Sequence, residues 1–150
     1  MTKNLRIYLS FDLEHDRDLH DRLLEQSRRH PAFAIANHSQ AGEMTAAWTE
    51  RVRDRISESD EVIVICGEHT DESPRMSAEL GIAQEQRKPY VLLWGRRDRM
   101  CKKPKGARAD DGMYRWTPDI LRDQIAFTLR RSRQPEVTES MKRQVPAPRI

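Results

Sequence analysis

The run Val62-Ile63-Val64-Ile65, ending at Cys66, constrains this chain more than any other feature. A strand with one wet face alternates apolar and polar residues. An unbroken run of β-branched residues instead needs cover on both faces, as in the centre of a parallel sheet. Tyr90-Val91-Leu92-Leu93-Trp94 is a second such run. Leu5 to Phe11 reads as another strand and ends at the turn residue Asp12. Ala32 to Ala36, around Phe33 and Ile35, reads as a short one, and Met113 to Trp116 as an edge strand.

Helical patterns separate these strands. Glu14 to His30 carries Leu19, Leu23 and Leu24 on one face, and Pro31 ends it. Glu43 to Ser59 repeats Met44, Trp48, Val52 and Ile56 every four residues. Ser73-Pro74 supplies an N-cap and a first-turn proline for a helix reaching Arg87, with Met76, Leu80 and Ala83 inward. Thr117-Pro118 opens the last helix in the same way, with Leu121, Ile125 and Leu129 as its stripe. Residues after about Ser132 lack any periodic pattern and read as a disordered tail, leaving residues 1–132 as the domain. Alternating strands and helices with short connections require parallel strands and right-handed crossovers. The predicted fold is therefore a single α/β domain, a flavodoxin-like doubly wound parallel sheet of strand order 2-1-3-4-5.

A chain of 150 residues suits one domain. Its formal charge of +3 comes from interleaved acidic and basic residues, which gives no general argument for nucleic acid. No apolar run approaches the roughly 18 residues of a membrane span. No signal peptide precedes the first strand, so the expectation is a soluble, cytoplasmic protein. Cys66 and Cys101 lack zinc-like spacing and are expected as free thiols. No metal is expected. Gly-rich phosphate loops and a strained serine elbow are both absent from the sequence.

In this kind of sheet, ligands bind beyond the carboxyl ends of the strands, near the switch point between the first and third. The residues placed there are Ser10, Phe11 and Asp12, then Gly67, His69 and Thr70 with Cys66 and Glu68, then Trp94 and Gly95. Ser73 caps the following helix, and Glu79 lies nearly two turns into it. Ser39 belongs to the loop after the second strand. A carboxylate beside a pyridinium ribose can stabilise an oxocarbenium-like transition state, by the logic of glycoside hydrolysis. Glu79 suits that role if it points toward the strand ends. Its plainer reading is a solvated helix residue pairing with Arg75 or Arg87. Asp12 has a plainer reading as a turn former, Ser73 as a cap and Trp94 as a core aromatic. The basic run Arg96 to Lys105 reads as a mobile, solvated loop that could also hold phosphate or an acidic partner.

Several blocks together resemble the TIR-like domains of bacterial immune signalling. These are Ile7-Tyr8-Leu9-Ser10-Phe11, then Ile56 to Ile65, then Gly67-Glu68-His69-Thr70 with Ser73 and Ala78-Glu79-Leu80, then Lys88 to Leu93. The resemblance spans roughly residues 5–95 and is strongest to the smaller subunit of the Thoeris anti-phage system. Pro74-Arg75-Met76 stands where the family places an aromatic, and the chain beyond Gly95 departs from the pattern. The resemblance implies cleavage of the nicotinamide–ribose bond of NAD, as substrate rather than cofactor, by an NAD glycohydrolase or ADP-ribosyl cyclase type of enzyme. It implies a cyclic or conjugated ADP-ribose messenger in antiviral defence, a downstream effector protein, a phage-derived trigger and a homo-oligomer. Glu79 matches the family's catalytic glutamate; Ser10, Phe11 and Asp12 match its pocket. A non-catalytic adaptor and a nucleoside deoxyribosyltransferase-like enzyme are the alternatives.

Overall fold

The structure is a computed structural model, and it describes residues 5–29 and 33–132. Five parallel strands form one sheet in the order β2-β1-β3-β4-β5. They are β1 (Leu5–Ser10), β2 (Phe33–His38), β3 (Glu61–Cys66), β4 (Tyr90–Trp94) and β5 (Met113–Arg115). The helices are α1 (Arg17–Arg29), α2 (Ala46–Ser57), α3 (Pro74–Glu85) and α4 (Pro118–Ser132), with a 3₁₀ turn at Thr70–Glu72. Fold class and strand order agree with the sequence reading. The proposed tail, and Pro31 as the stop of α1, lie outside the described residues.

Every residue of β3 is buried, which is what its continuous apolar run requires. Side chains alternate across the sheet and divide the core in two. Ile7, Leu9, Ile63, Ile65 and Leu93 pack under α1 and α4 with Leu19, Leu23, Leu121 and Ile125. Tyr8, Val62, Val64 and Leu92 pack under α2 and α3 with Trp48, Val52, Ile56, Met76 and Ala83. Each fully buried aliphatic side chain contributes about 1.5–3 kcal/mol, so the two layers carry most of the stability.

Two helix starts follow the expected capping chemistry. Ser73 Oγ accepts from the Met76 amide at 3.2 Å, with Pro74 in the first turn. Thr117 Oγ1 accepts from the Ile120 amide at 3.1 Å. α2 differs from the sequence reading. It begins at Ala46 because Thr45 caps it, accepting from the Trp48 amide. Met44 therefore precedes the helix and is 42% exposed rather than part of its buried stripe. The side chain of Leu129 lies outside the described residues.

The segment after β4 is the larger departure. It has little regular structure, yet it is pinned rather than solvated throughout. Cys101 is buried, the Lys102 amide donates to the Gly67 carbonyl at 2.9 Å, and Arg96 is tied to α1. The pinning begins at Gly95, whose amide donates to the Cys66 carbonyl at 2.9 Å. A Cβ at Gly95 would sit 2.8 Å from that carbonyl oxygen, 2.7 Å from Leu19 Cδ1 and 2.9 Å from Ile65 Cγ2. Backbone and packed core crowd the position from three directions, so only glycine fits. Gly95→Ala is expected to cost about 1–3 kcal/mol through overpacking, read as a lowered midpoint in chemical denaturation. An unchanged midpoint would mean that β4 and α1 can separate freely here.

Candidate functional site

The centre of the candidate site is Glu79. Met76, Glu79, Leu80 and Ala83 recur at helical spacing and form the inward face of α3, so the carboxylate is carried into the core. Its exposure is 0%. Tyr8 and Ser10 are two residues apart on β1 and project toward the same layer. The Tyr8 hydroxyl donates to Glu79 Oε2 at 2.7 Å, and Ser10 Oγ donates to Oε1 at 2.6 Å. Ser39 Oγ donates to Oε1 at 2.9 Å and itself accepts from the Phe11 amide at 3.0 Å. Three hydroxyls, all buried, thus close around one carboxylate.

A register shift puts the third donor in place. β1 and β2 pair Ile7 with Ile35 but Tyr8 with Asn37, so Ala36 is passed over. The slip advances β2 by one residue, and the Ser39 amide then donates to the Leu9 carbonyl at 2.9 Å. Such irregularities re-aim side chains beside functional sites.

Burial pushes the Glu79 carboxyl up from 4.5 to about 7. The hydrogen bonds from Ser10, Tyr8 and Ser39, and the charge of Arg75, pull the other way but do not cancel it. Tyr8, buried against that carboxylate, has its own ionisation pushed upward by burial and then by the negative charge.

Above this group is a small pocket of about 100 Å³, lined by Phe11, Asp12, His15, Ser39, His69, Ser73 and Arg75 among others. Ser39 belongs both to the pocket wall and to the Glu79 cluster. Glu79 does not line the pocket, because the hydroxyls cap it. His15 and His69 stack at 4.1 Å between centroids. Asp12 Oδ1 accepts from the Glu14 and His15 amides, and Oδ2 lies 2.9 Å from His15 Nδ1. That contact raises the His15 imidazole above its ordinary value. Asp12, Glu14 and His15 each place one ligand-type atom within 4.8 Å of the others, a grouping that sequence spacing did not suggest. Asp12 is already engaged as the turn's cap, as its plainer reading had it.

The remaining sequence candidates spread along the same edge. Phe11 stacks on His20 at 4.8 Å on the α1 side of the sheet. Thr70 is buried and its Oγ1 accepts from the Gly67 amide at 2.7 Å, closing the turn after β3. Gly67 packs so closely against the Asp16 carboxylate that a Cβ there would collide with it. Trp94 lies outside this pocket, in a second cleft.

Sequence reading passed over three contributors, Tyr8, His15 and Asp16, and took a fourth, Arg96, only as the start of a basic loop. Tyr8 was legible from its two-residue spacing to Ser10. His15 carries the pocket rim. Asp16 is buried, and Arg96 reaches it at 3.0 Å and Asp18 at 2.8 Å. Desolvation raises the Asp16 carboxyl, while the Arg96 contact lowers that of Asp18. No local pattern announces a pair separated by 80 positions.

A model of the family described as "Thoeris protein ThsB, TIR-like domain" matches residues 8–99, more than half of the chain. The chain belongs to this family of TIR-like domains. The matched span runs from β1 past β4 and includes every hydroxyl around Glu79 together with Glu79 itself. Among solved structures, a prokaryotic SEFIR domain is similar at a TM-score of 0.54 and 14% identity, over 86% of this chain and 92% of that one. That likeness shows a shared fold. A search of curated proteins finds no match. No helix among the described residues is long and apolar enough to cross a membrane. The molecule is a TIR-like signalling module of the defence type, with a buried carboxylate below the carboxyl edge of its sheet.

The raised carboxyl sets a stability window. Folded Glu79 titrates near 7 rather than 4.5, so the native state holds its proton across that interval while the unfolded chain has released it. Raising the pH through the interval removes this advantage, and stability falls. Relative to Glu79→Gln, the wild-type chain is expected to lose roughly 3 kcal/mol between pH 4.5 and 7.5. Denaturant titrations of both proteins across that range check it. Parallel curves would show that Glu79 titrates as an ordinary carboxylate.

Proposed function

We propose that this TIR-like domain cleaves the nicotinamide–ribose bond of NAD, with Glu79 as the catalytic carboxylate. The observation that carries the reading is the placement of a desolvated carboxylate, ringed by Tyr8, Ser10 and Ser39, beneath a pocket at the switch-point edge of a parallel sheet. As nicotinamide departs, positive charge develops on the ribose ring. An ionised carboxylate in a dry site opposes that charge far more strongly than one in water. Ser10 and Ser39 already bind oxygen, and on opening of the pocket they can turn from the carboxylate to ribose hydroxyls. Asp12, His69 and Ser73 at the rim would contact the rest of the substrate. Water or an internal acceptor then takes the ribosyl carbon, giving ADP-ribose or a cyclic or conjugated messenger for an effector protein. Assembly of several copies after a phage-derived trigger would supply the opening.

One observation favours a second reading. Glu79 is fully enclosed and the pocket holds only about 100 Å³, too little for a dinucleotide. An interaction module in which the Glu79 cluster only locks β1, β2 and α3 together accounts for that closure.

The two readings separate by incubation of the full chain with NAD, with and without a phage lysate component, followed by chromatography of released nicotinamide. Under the first reading Glu79→Gln loses at least a hundredfold of the rate. The wild-type rate then rises with pH through about 7, as the carboxyl ionises. Equal rates in both proteins would remove Glu79 from catalysis. Nicotinamide release absent under every condition would assign the interaction module. Base exchange on deoxynucleosides would assign the deoxyribosyltransferase chemistry.

A further inference from the structure

The second cleft has a volume of about 620 Å³ and shares no lining residue with the Glu79 pocket. It lies at the carboxyl ends of β4 and β5, where Trp94 pairs with Arg115 in the sheet register. Its lining brings together Arg22 from α1, Arg97 from the loop after β4, Arg115 and Met113 from β5, and the indoles of Trp94 and Trp116. No acidic residue lines it. Among the described residues, none of the three arginines lies within 4.0 Å of a carboxylate, although the chain pairs Arg53, Arg96, Arg99 and Arg122 elsewhere.

Both indoles are fixed before any ligand arrives. Trp94 Nε1 donates to the Arg96 carbonyl at 2.8 Å, and Trp116 Nε1 donates to Gln26 Oε1 at 2.8 Å. Arg22 lies 4.4 Å over the Trp116 ring, which holds its guanidinium at the cleft. The N–H groups are spent, so the cleft offers flat aromatic surface and guanidinium forks. Flat π-surface takes a base, and planar forks take phosphate oxygens two at a time. A cleft of some hundreds of Å³ is the size that holds a small organic ligand.

We infer that this cleft binds a nucleoside di- or triphosphate, with the base on Trp94 and the phosphates on Arg97, Arg115 and Arg22. Like-signed guanidiniums left together without counter-charges repel one another, and a polyphosphate relieves that repulsion. Trp94 belongs to this site rather than to the Glu79 pocket, and the inference stands whether or not Glu79 is catalytic.

Tryptophan fluorescence, excited at a wavelength where adenine is transparent, provides the test. Trp48 is fully buried on the inward face of α2, so a ligand-dependent change reports on Trp94 and Trp116. The full chain is titrated with ADP, adenosine and inorganic pyrophosphate at low ionic strength. Saturable quenching by ADP is expected, with adenosine and pyrophosphate each at least tenfold weaker. Arg97 and Arg115 are both exposed, so Arg97→Glu with Arg115→Glu should leave the melting curve in place while weakening ADP at least tenfold. Glu79→Gln should bind ADP as the wild type does. Pyrophosphate equal to ADP would overturn the base-stacking half. No saturable quenching by ADP up to millimolar concentration, or quenching that survives the double substitution, would overturn the site. An acidic peptide that quenches where ADP does not would overturn it in favour of a protein ligand.

Discussion

A carboxylate without contact with water can persist in a sheet–helix interface only if something replaces its hydration. At Glu79 the replacement is three hydroxyl donors, two from β1 and one from the loop after β2. Hydrogen bonds to a charged group contribute about 1.5–3 kcal/mol each, while removing the charge from water costs several kcal/mol or more. Desolvation outweighs those bonds, which is why the carboxyl moves up to about 7. Truncating Glu79 would leave Tyr8, Ser10 and Ser39 without their acceptor in a buried place. The same three contacts tie β1, the end of β2 and α3 to one point. The cluster is therefore a structural keystone, and under the proposed function it also holds the reactive group.

That double role depends on placements made elsewhere in the chain. Tyr8 and Ser10 share a side because a strand repeats every two residues. Ser39 reaches them only because β2 slips at Ala36. Glu79 faces inward because α3 carries it on the stripe of Met76, Leu80 and Ala83. On the far side of the switch point, Arg96 crosses to Asp16 and Asp18, and Asp16 in turn packs on the Cα of Gly67. The turn after β3 and the loop after β4 are thus fixed to the start of α1, and the rim of the pocket has a stable outer wall.

Fold legibility came from long, one-signed patterns. The β-branched run of β3, the apolar β4 and the proline-marked starts of α3 and α4 each carry a local cause that tertiary context did not override. Met44 misled because its four-residue spacing to Trp48 ignored the stronger cap at Thr45. For the site, Glu79, Ser10 and the turn at Asp12 were legible, yet the burial of Glu79 was also written in the sequence. Position 79 completes a three-and-four spacing from Met76 to Ala83, and a charged residue on such a stripe either breaks the helix face or is held by partners. What could not be read was which partners. Ser39 depends on a one-residue slip, and the Arg96 contacts depend on how a loop without repeating pattern folds back. Neither leaves a periodic trace.

The edge of the sheet is electrically divided, and the division follows from the strand order. Beyond β1 and β3 gather hydroxyls, imidazoles and the carboxylates of Glu79, Asp12 and Asp16. Beyond β4 and β5 gather Arg97, Arg115 and two indoles, with Arg22 reaching in from α1. Arg96 stands between them and has its charge spent on Asp16 and Asp18, so it insulates one half from the other. A net charge of +3 does not describe the β4–β5 cleft, whose lining holds three arginines and no acidic residue. Under the two proposals made above, an anion would be held at the β4–β5 end, and a group that develops positive charge at the β1–β3 end. Two chemically opposite preferences on one rim need no second domain, only a parallel sheet whose strand ends are filled by different loops.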